Sequence, residues 1–246
     1  MNLNDLLDLA KMAAKAAGNF LVENRVALNE EISNIGRDIK LEADIKTESL
    51  IRDILTKSTI PILGEEGQDR FEDFGSRYWV VDPLDGTANF NRGIPLCCVS
   101  IALIDDEKPI LGVINDFNHN ELYLGSIETP SMVNDELLKI SNITNASNGT
   151  LMTGLPANTD YSDEGMKQLI EKFQKWKKVR MIGSAAMASM YVASGKAELY
   201  AENGTNIWDV AAGIAIVEAA AGKAIITNHK PNHSLDIEIS NGKFNT

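Results

Sequence analysis

The chain has 246 residues, of which 44% are hydrophobic and 24% are charged, as in ordinary globular proteins with one large domain or two small lobes. Its formal net charge of −12 argues against nucleic acid as a partner, because binding a phosphate backbone needs a basic surface. No apolar run reaches the roughly 18 residues of a membrane span. The N-terminus lacks the basic and apolar regions of a signal peptide, so we expect a cytoplasmic protein that does not engage a membrane.

Residues 4–22 repeat apolar positions at helical spacing, which predicts a long amphipathic helix. A second helix is predicted over 44–57, with Ile45 and Ile51 among its inward residues. Strands are then predicted over 60–63, 77–82, 96–105, 109–115 and 121–125, and the last three form an antiparallel meander. The neighbouring Cys97 and Cys98 should face opposite sides of their strand and stay reduced in the core.

Residues 141–150 are polar and turn-rich, which indicates a connection between two lobes, about 1–146 and 147–246, of a single domain. The second half alternates strands and helices. Strands are predicted over 150–154, 178–182, 197–202, 223–227 and 235–239, and helices over 162–175, 184–194 and 207–221. This order predicts a fold with both α+β and α/β character.

The most informative motif is Asp82-Pro-Leu-Asp-Gly-Thr-Ala-Asn-Phe90, which follows an apolar strand. Its two aspartates lie three residues apart, with a proline between them that favours a tight turn. Such a turn can aim the Leu84 carbonyl inward, and the amides of Gly86 and Thr87 can hold a phosphate where a helix begins. The alternative is an ordinary turn with a helix cap, since Asp-Pro and Asp-Gly are common in turns.

Acidic residues also occur beside turns elsewhere, at Asp44, at Glu65-Glu66 and at Asp209. Converging carboxylates would repel one another and resist ionisation unless a cation lies among them. Mg²⁺ fits an oxygen-only set of ligands, and it would supply the positive charge that an acidic chain needs to bind phosphate. Asp209 alone could be a plain cap of the helix over 207–221. We expect His119, His229 and His233 on the surface, because none pairs with a nucleophile or a ligand set.

The motif at Asp82, with Gly64-Glu-Glu66 upstream and Trp208-Asp209 downstream, resembles the inositol monophosphatase family from Asp38 to about Gly222. The resemblance implies a layered αβαβα sandwich of the sugar phosphatase type, two or three Mg²⁺ ions, lithium sensitivity and a homodimer. It implies a small-molecule sugar or inositol phosphate as the substrate.

The resemblance also implies a role for individual residues. The metal ligands would be Glu65, Asp82, the Leu84 carbonyl, Asp85 and Asp209. The residues that orient the attacking water would be Glu65, Thr87 and Asp44. The substrate would be bound by Asp85, Gly86, Thr87, Gly183, Ser184, Ala185 and Glu202. The chain departs from the family pattern before Asp44, where Val-Thr is usual, so Glu42 competes for the same place.

Several alternatives remain open. Fructose 1,6-bisphosphate is the main alternative to inositol 1-phosphate as the substrate, because the strand over 110–118 resembles dual-specificity members. A 3′-phosphoadenosine nucleotide ranks third. Haloacid-dehalogenase phosphatases have Asp-x-Asp, with the aspartates two residues apart. Asp82 and Asp85 are three residues apart, so the motif of that enzyme class does not match this chain. A protein that binds metal and sugar phosphate without turnover would keep the aspartates but lose Glu65 and Thr87.

Overall fold

A computed structural model describes residues 1–35, 38–67, 74–155 and 159–244, and of residues 34, 35, 38 and 39 it describes only the backbone. The helices are α1 (Leu3–Glu23), α2 (Arg25–Leu28), α3 (Glu42–Leu55), α4 (Thr87–Arg92), α5 (Asp163–Gln174), α6 (Ala185–Ala193) and α7 (Ile207–Ala219). The strands are β1 (Glu31–Ile35), β2 (Asp38–Leu41), β3 (Ile62–Gly64), β4 (Arg77–Asp85), β5 (Cys98–Asp105), β6 (Lys108–Asp116), β7 (Glu121–Ser126), β8 (Met132–Val133), β9 (Glu136–Leu137), β10 (Thr150–Thr153), β11 (Lys178–Met181), β12 (Leu199–Asn206), β13 (Lys223–Thr227) and β14 (Ser234–Ser240).

The first sheet has the order β3-β4-β5-β6-β7-β8-β9, and β5, β6 and β7 form the predicted antiparallel meander. β3 pairs parallel to β4, with Gly64 opposite Val81. The second sheet has the order β11-β10-β12-β14-β13, in which β10 pairs parallel to both neighbours and β14 pairs antiparallel to both of its own.

The helices lie in layers about these sheets. α1 and α3 cover one face of the first sheet. The other face packs on α7, which also contacts α6 and the second sheet. These contacts confirm the layered α+β prediction. Cys97 and Cys98 are free and buried in different apolar clusters, one on each side of the first sheet. They therefore face opposite ways, as expected. The lobe boundary near residue 146 stays a prediction.

Most predicted elements occur with boundaries shifted by a few residues. The hairpin of β1 and β2 was not predicted, because its sequence does not alternate clearly between apolar and polar residues. The structure extends β4 to Asp85, past the predicted end at Asp82. α3 begins before Asp44, and Ile45 is 42% exposed, so the prediction that Ile45 faces inward was wrong. The buried face of α3 includes the polar Asp44, Thr47 and Glu48 instead, which hydrophobicity alone could not show.

No helix within the described ranges is long and apolar enough to cross a membrane.

Candidate active site

Three aspartates converge where β4 meets the start of α7. Each of Asp82, Asp85 and Asp209 offers a carboxylate oxygen, and these oxygens all lie within 4.8 Å of one another. Asp82 and Asp85 are buried, whereas Asp209 is partly exposed. A compact set of ligands made only of oxygen atoms suits Mg²⁺, which prefers carboxylates and carbonyls. The residues present therefore fit the metal that the sequence predicts.

An irregularity in β4 brings two of these aspartates to the same place. Asp82 pairs with Ser100 of β5 and Asp85 pairs with Cys98, so the register shifts between them. Pro83 lies in this shift, where a strand can accommodate a residue that has no N–H to donate. The Leu84 amide donates to Asp82 Oδ1 at 2.9 Å, which holds the turn closed. Asp85 thus lies near Asp82 even though it is three residues away.

Asp85 is held by the first turn of α6. The amide of Ala186 donates to Asp85 Oδ2 at 2.7 Å, and the amide of Ala185 donates to Oδ1 at 3.3 Å. The Ser184 hydroxyl donates to Oδ2 at 2.5 Å. A helix N-terminus carries partial positive charge and unpaired amides, so it stabilises a carboxylate at this position. The Ser184–Ala185 segment therefore contacts Asp85 directly.

Asp209 lies in the first turn of α7, where it accepts from the Asn206 amide and from the Thr205 hydroxyl, both at 2.8 Å. These bonds are those of an ordinary helix cap. Both bonds engage only Oδ2 of the carboxylate. Asp209 therefore caps α7 and also converges with Asp82 and Asp85.

Glu65 reaches the same cluster from the end of β3. The parallel pairing of β3 with β4 places Gly64 opposite Val81, and the Glu65 amide donates to the Val81 carbonyl at 3.1 Å. The residues that follow Gly64 and Val81 are Glu65 and Asp82, and after burial, repulsion from Glu65 is one of the causes that raise the pKa of Asp82.

Thr87 joins Asp44 to the Leu84 carbonyl at the start of α4. The Thr87 hydroxyl oxygen lies 3.0 Å from Asp44 Oδ1 and 3.0 Å from the Leu84 carbonyl. Asp44 also accepts from the Leu41 amide at 2.6 Å. Glu42, which the sequence left as a competitor for this place, instead pairs with Lys46 at 2.6 Å on the exposed side of α3. The structure brings Asp44 to Thr87.

The cluster resists ionisation when no cation is bound. Burial, followed by repulsion from neighbouring carboxylates, raises the pKa of Asp44, of Asp85 and of Glu202 to about 7. The same causes raise the pKa of Glu65 and of Asp82 well above the ordinary range. A divalent cation would reverse this effect by favouring the ionised form of each carboxyl group that it contacts.

The sequence profile described as the inositol monophosphatase family matches residues 2–243. The chain belongs to the inositol monophosphatase family. A solved structure of inositol monophosphatase from Anabaena (Nostoc) sp. PCC 7120 superposes with a TM-score of 0.83 at 31% identity, over 99% of this chain and 93% of that one.

Curated relatives carry more than one name. The Nus factor SuhB of Xylella fastidiosa is 34% identical over 85% of this chain and 78% of its own length. A fructose-1,6-bisphosphatase/inositol-1-monophosphatase of Thermotoga maritima is 30% identical over 89% of this chain and 83% of its own length.

The two glycines of the predicted substrate site adopt left-handed backbone conformations. Gly86 has a φ of +89°, and a Cβ there would lie 2.8 Å from the Leu96 carbonyl oxygen, so only glycine fits before α4. Gly183 has a φ of +70° and lies against Asn89 of α4. Both turns thus depend on residues that tolerate positive φ.

Asn89 is the functional residue that sequence reasoning missed. Its amide nitrogen lies 2.7 Å from the Leu96 carbonyl and 2.7 Å from the Ile182 carbonyl. It therefore ties α4 to the turn at Gly183 that precedes α6. The sequence marked Asn89 only as part of a family-like string, since its partner Ile182 lies 93 positions away.

Glu202 lies in β12 on the wall of a separate cleft. Its carboxylate accepts from the Tyr200 hydroxyl at 3.1 Å, and repulsion from Asp209 contributes to its raised pKa. The cleft has a volume of about 390 Å³. It is lined by Thr153, Gly154, Leu155, Thr159, Asp160, Gly165, Met166, Gln168, Leu169, Lys172, Ala201, Glu202 and Asn203. Glu202 thus connects the aspartate cluster with a polar cleft.

Proposed function

We propose that the chain is a magnesium-dependent phosphoric monoester hydrolase whose preferred substrate is inositol 1-phosphate. The convergence of Asp82, Asp85 and Asp209, with oxygens within 4.8 Å of one another, carries this proposal. Family membership supports the reaction class. Glu65 and the Leu84 carbonyl complete the proposed set of ligands for two or three Mg²⁺ ions.

Bound Mg²⁺ would supply positive charge to the phosphate oxygens and lower the pKa of a water. Thr87 would orient that water. Its single hydroxyl proton can serve Asp44 or the Leu84 carbonyl, both at 3.0 Å, but not both together. When the Leu84 carbonyl binds a metal and Asp44 is ionised, Thr87 donates to Asp44. Its lone pairs would then accept a hydrogen bond from the water, while Glu65 would take up the one proton that the water loses as it attacks phosphorus.

The phosphate would lie at the start of α4, against the amides of Gly86 and Thr87. The first amides of a helix have no intrahelical partner, and the glycine backbone allows close approach of a ligand. Asp85, which the first turn of α6 holds in place, would contact both the metal and the substrate. The Gly183–Ala185 turn would line the same mouth and present backbone groups to the ring hydroxyls.

The polyol would extend towards Glu202. The cleft beside Glu202 offers carboxylates, amides, two threonine hydroxyls and one ammonium, which suits hydroxyl groups. Its ionisable lining is one lysine against two acidic residues, so positive charge is not in excess. A substrate with one phosphate and many hydroxyls fits this lining better than a bisphosphate does.

One observation favours fructose 1,6-bisphosphatase activity as a second candidate. Lys172 lines the cleft, and burial lowers its pKa. Among the ion pairs found in the described residues, none involves Lys172, so its ammonium could bind a second phosphate. The relative from Thermotoga maritima carries both activities in its name. A 3′-phosphoadenosine nucleotide remains the third choice.

Phosphate release by the purified protein tests these assignments. We expect Mg²⁺-dependent turnover of inositol 1-phosphate with a higher kcat/KM than for fructose 1,6-bisphosphate or 3′-phosphoadenosine 5′-phosphate. Lys172→Gln should reduce kcat/KM for the bisphosphate alone if Lys172 binds the second phosphate. No turnover of any of the three substrates would favour the alternative of a protein that only binds metal and sugar phosphate.

We also propose a homodimer in the cytoplasm, with no nucleic acid partner. The dimer follows from the family resemblance, and the net charge of −12 supports the absence of nucleic acid. Two free buried cysteines agree with a reducing compartment. Light scattering on the eluted protein would contradict the dimer if it gave the mass of one chain, 26.9 kDa.

A further inference from the structure

The turn that carries Glu65 rests on two charged residues of α3. Glu48 and Arg52 lie one helical turn apart, and Arg52 Nε donates to Glu48 Oε1 at 2.8 Å. Arg52 also donates from a terminal nitrogen to the Ile62 carbonyl at 3.2 Å, at the start of β3. This pair therefore links α3 to the strand that leads to Glu65.

The second oxygen of Glu48 contacts the turn itself. Glu48 Oε2 accepts from the Glu66 amide at 2.8 Å. A Cβ on Gly64 would lie 2.3–2.5 Å from the Glu48 carboxylate, so the carboxylate lies directly against the backbone of this glycine. Glu48 thus contacts both neighbours of Glu65, namely Gly64 and Glu66.

The two acidic side chains of the turn point to different partners. Glu65 follows β3 beside Asp82 of β4, and its charge adds to burial in raising the pKa of that carboxyl group. Glu66 forms an ion pair with Lys40, which lies in the β1–β2 hairpin. The Glu66 amide donates to Glu48, and this bond limits rotation of the backbone between Glu65 and Glu66. Of the two acidic side chains of the turn, Glu65 thus lies beside Asp82, and Glu66 pairs with Lys40.

A structural role alone does not explain this arrangement. Glu48 is only 4% exposed, and a buried ion pair is often no more stabilising than apolar residues of the same size. Its bonds are directed at the backbone of one turn, and that turn bears the carboxylate proposed to bind metal and activate water. Outer hydrogen-bond partners of metal ligands act in this way, by orienting the ligand.

We propose that Glu48 and Arg52 are positioning residues that hold Glu65 in place for metal binding and turnover. This inference rests on the proposed function of Glu65. It concerns residues that lie outside the aspartate cluster and contact it only through the backbone of the turn.

The test compares this pair with a matched pair on the same helix. Lys46 pairs with Glu42 at the same spacing, but at the surface, with Lys46 51% exposed. The variants are Arg52→Met, the double variant Glu48→Gln with Arg52→Gln, and the control Lys46→Gln. The double variant removes both charges but keeps a carbonyl oxygen at position 48 that can accept from the Glu66 amide. Each is measured for kcat and KM, for Mg²⁺ binding by calorimetry without substrate, and for thermal unfolding in EDTA.

We expect Arg52→Met to weaken Mg²⁺ binding and lower kcat by roughly 10- to 100-fold, the range seen for outer partners of metal ligands. KM should change by less than the fall in kcat. The double variant should recover part of the Mg²⁺ affinity, and Lys46→Gln should match the wild type. Wild-type Mg²⁺ affinity and kcat in the folded fraction of both Arg52 variants would overturn the proposal.

A failure of the proposed function gives a different result. If the wild type binds Mg²⁺ but shows no turnover, the proposed reaction is wrong, while the calorimetry still decides the role of Glu48 and Arg52. If Arg52→Met fails to fold, the double variant decides the question. Wild-type Mg²⁺ affinity and kcat in the double variant would then overturn the proposal.

Discussion

In the absence of Mg²⁺, the free energy of unfolding should fall as the pH rises from about 5.5 to about 8. Burial, with repulsion between carboxylates, raises the pKa of Asp44, Asp85 and Glu202 to about 7 in the folded chain. In the unfolded chain such groups titrate near about 4. Between these values only the folded state keeps the protons. Their stabilising contribution is therefore complete below the unfolded pKa and is lost as the pH rises through about 7.

The size of the effect follows from these pKa values. Each pKa unit between folded and unfolded states corresponds to about 1.4 kcal/mol. One carboxyl group with a folded pKa of about 7 then lowers the unfolding free energy of the chain by about 2 kcal/mol between about pH 5.5 and pH 8. The groups repel one another and do not titrate independently, so we expect about 2–4 kcal/mol in total. For a chain of this length that is roughly 10 °C in Tm.

Thermal unfolding followed by circular dichroism, in EDTA and in saturating Mg²⁺, measures this effect. Metal ligands must be deprotonated to bind, so the increase in Tm caused by Mg²⁺ should grow with pH. Asp106→Asn alters an exposed aspartate between β5 and β6, and it should behave like the wild type. A Tm in EDTA that stays constant or rises with pH would contradict the expected loss of stability. An equal effect of Mg²⁺ at both ends of the range would do the same.

Three further predictions follow from the site. Asp85→Asn should abolish turnover and leave the fold intact, whereas Asp106→Asn should retain activity; equal phosphate release by the two would contradict the metal assignment. Asn89→Ala removes two hydrogen bonds, so it should cost about 1–3 kcal/mol of unfolding free energy and lower kcat. Asn91→Ala, on the same helix, is its control: it removes one exposed hydrogen bond, to Glu31, so it should leave kcat unchanged and cost less unfolding free energy. Millimolar lithium should inhibit turnover by occupying a Mg²⁺ position, and a kinetic titration that shows no effect would count against it.

The sequence predicted the cluster well because its members are local signals. Asp82 and Asp85 belong to one nine-residue string, and Glu65 and Asp209 each lie beside an obvious strand or helix end. The meander of β5 to β7 was predictable for the same reason, since apolar runs and turn residues alternate there. What brings the four residues together is the pairing of β3 with β4 and the packing of α7 on the first sheet. At the level of sequence, only the family resemblance indicated that these residues form one site.

The parts that sequence reasoning missed depend on partners far apart in the chain. Asn89 has acceptors near it and also 93 positions away, which no local pattern reveals. The polar face of α3 broke the apolar periodicity, so Ile45 was wrongly placed inside and Glu48 was overlooked. Both errors have one physical cause. A buried polar residue satisfied by the backbone of another segment is indistinguishable, in sequence, from a solvated one.

The choice between Asp44 and Glu42 shows the same limit. Both are acidic and both lie in the first turn of α3. Only the direction of each side chain separates them: Asp44 lies 3.0 Å from the Thr87 hydroxyl, and Glu42 pairs with Lys46.

A crystal structure with Mn²⁺ in place of Mg²⁺ would test the central assignment most directly. Mn²⁺ prefers the same octahedral oxygen ligands and gives an anomalous signal that locates it. We expect anomalous peaks in contact with Asp82, Asp85 and Asp209, with at least one also touching Glu65 or the Leu84 carbonyl. Saturating Mn²⁺ that leaves this cluster without a peak, or that binds only elsewhere on the chain, would contradict it.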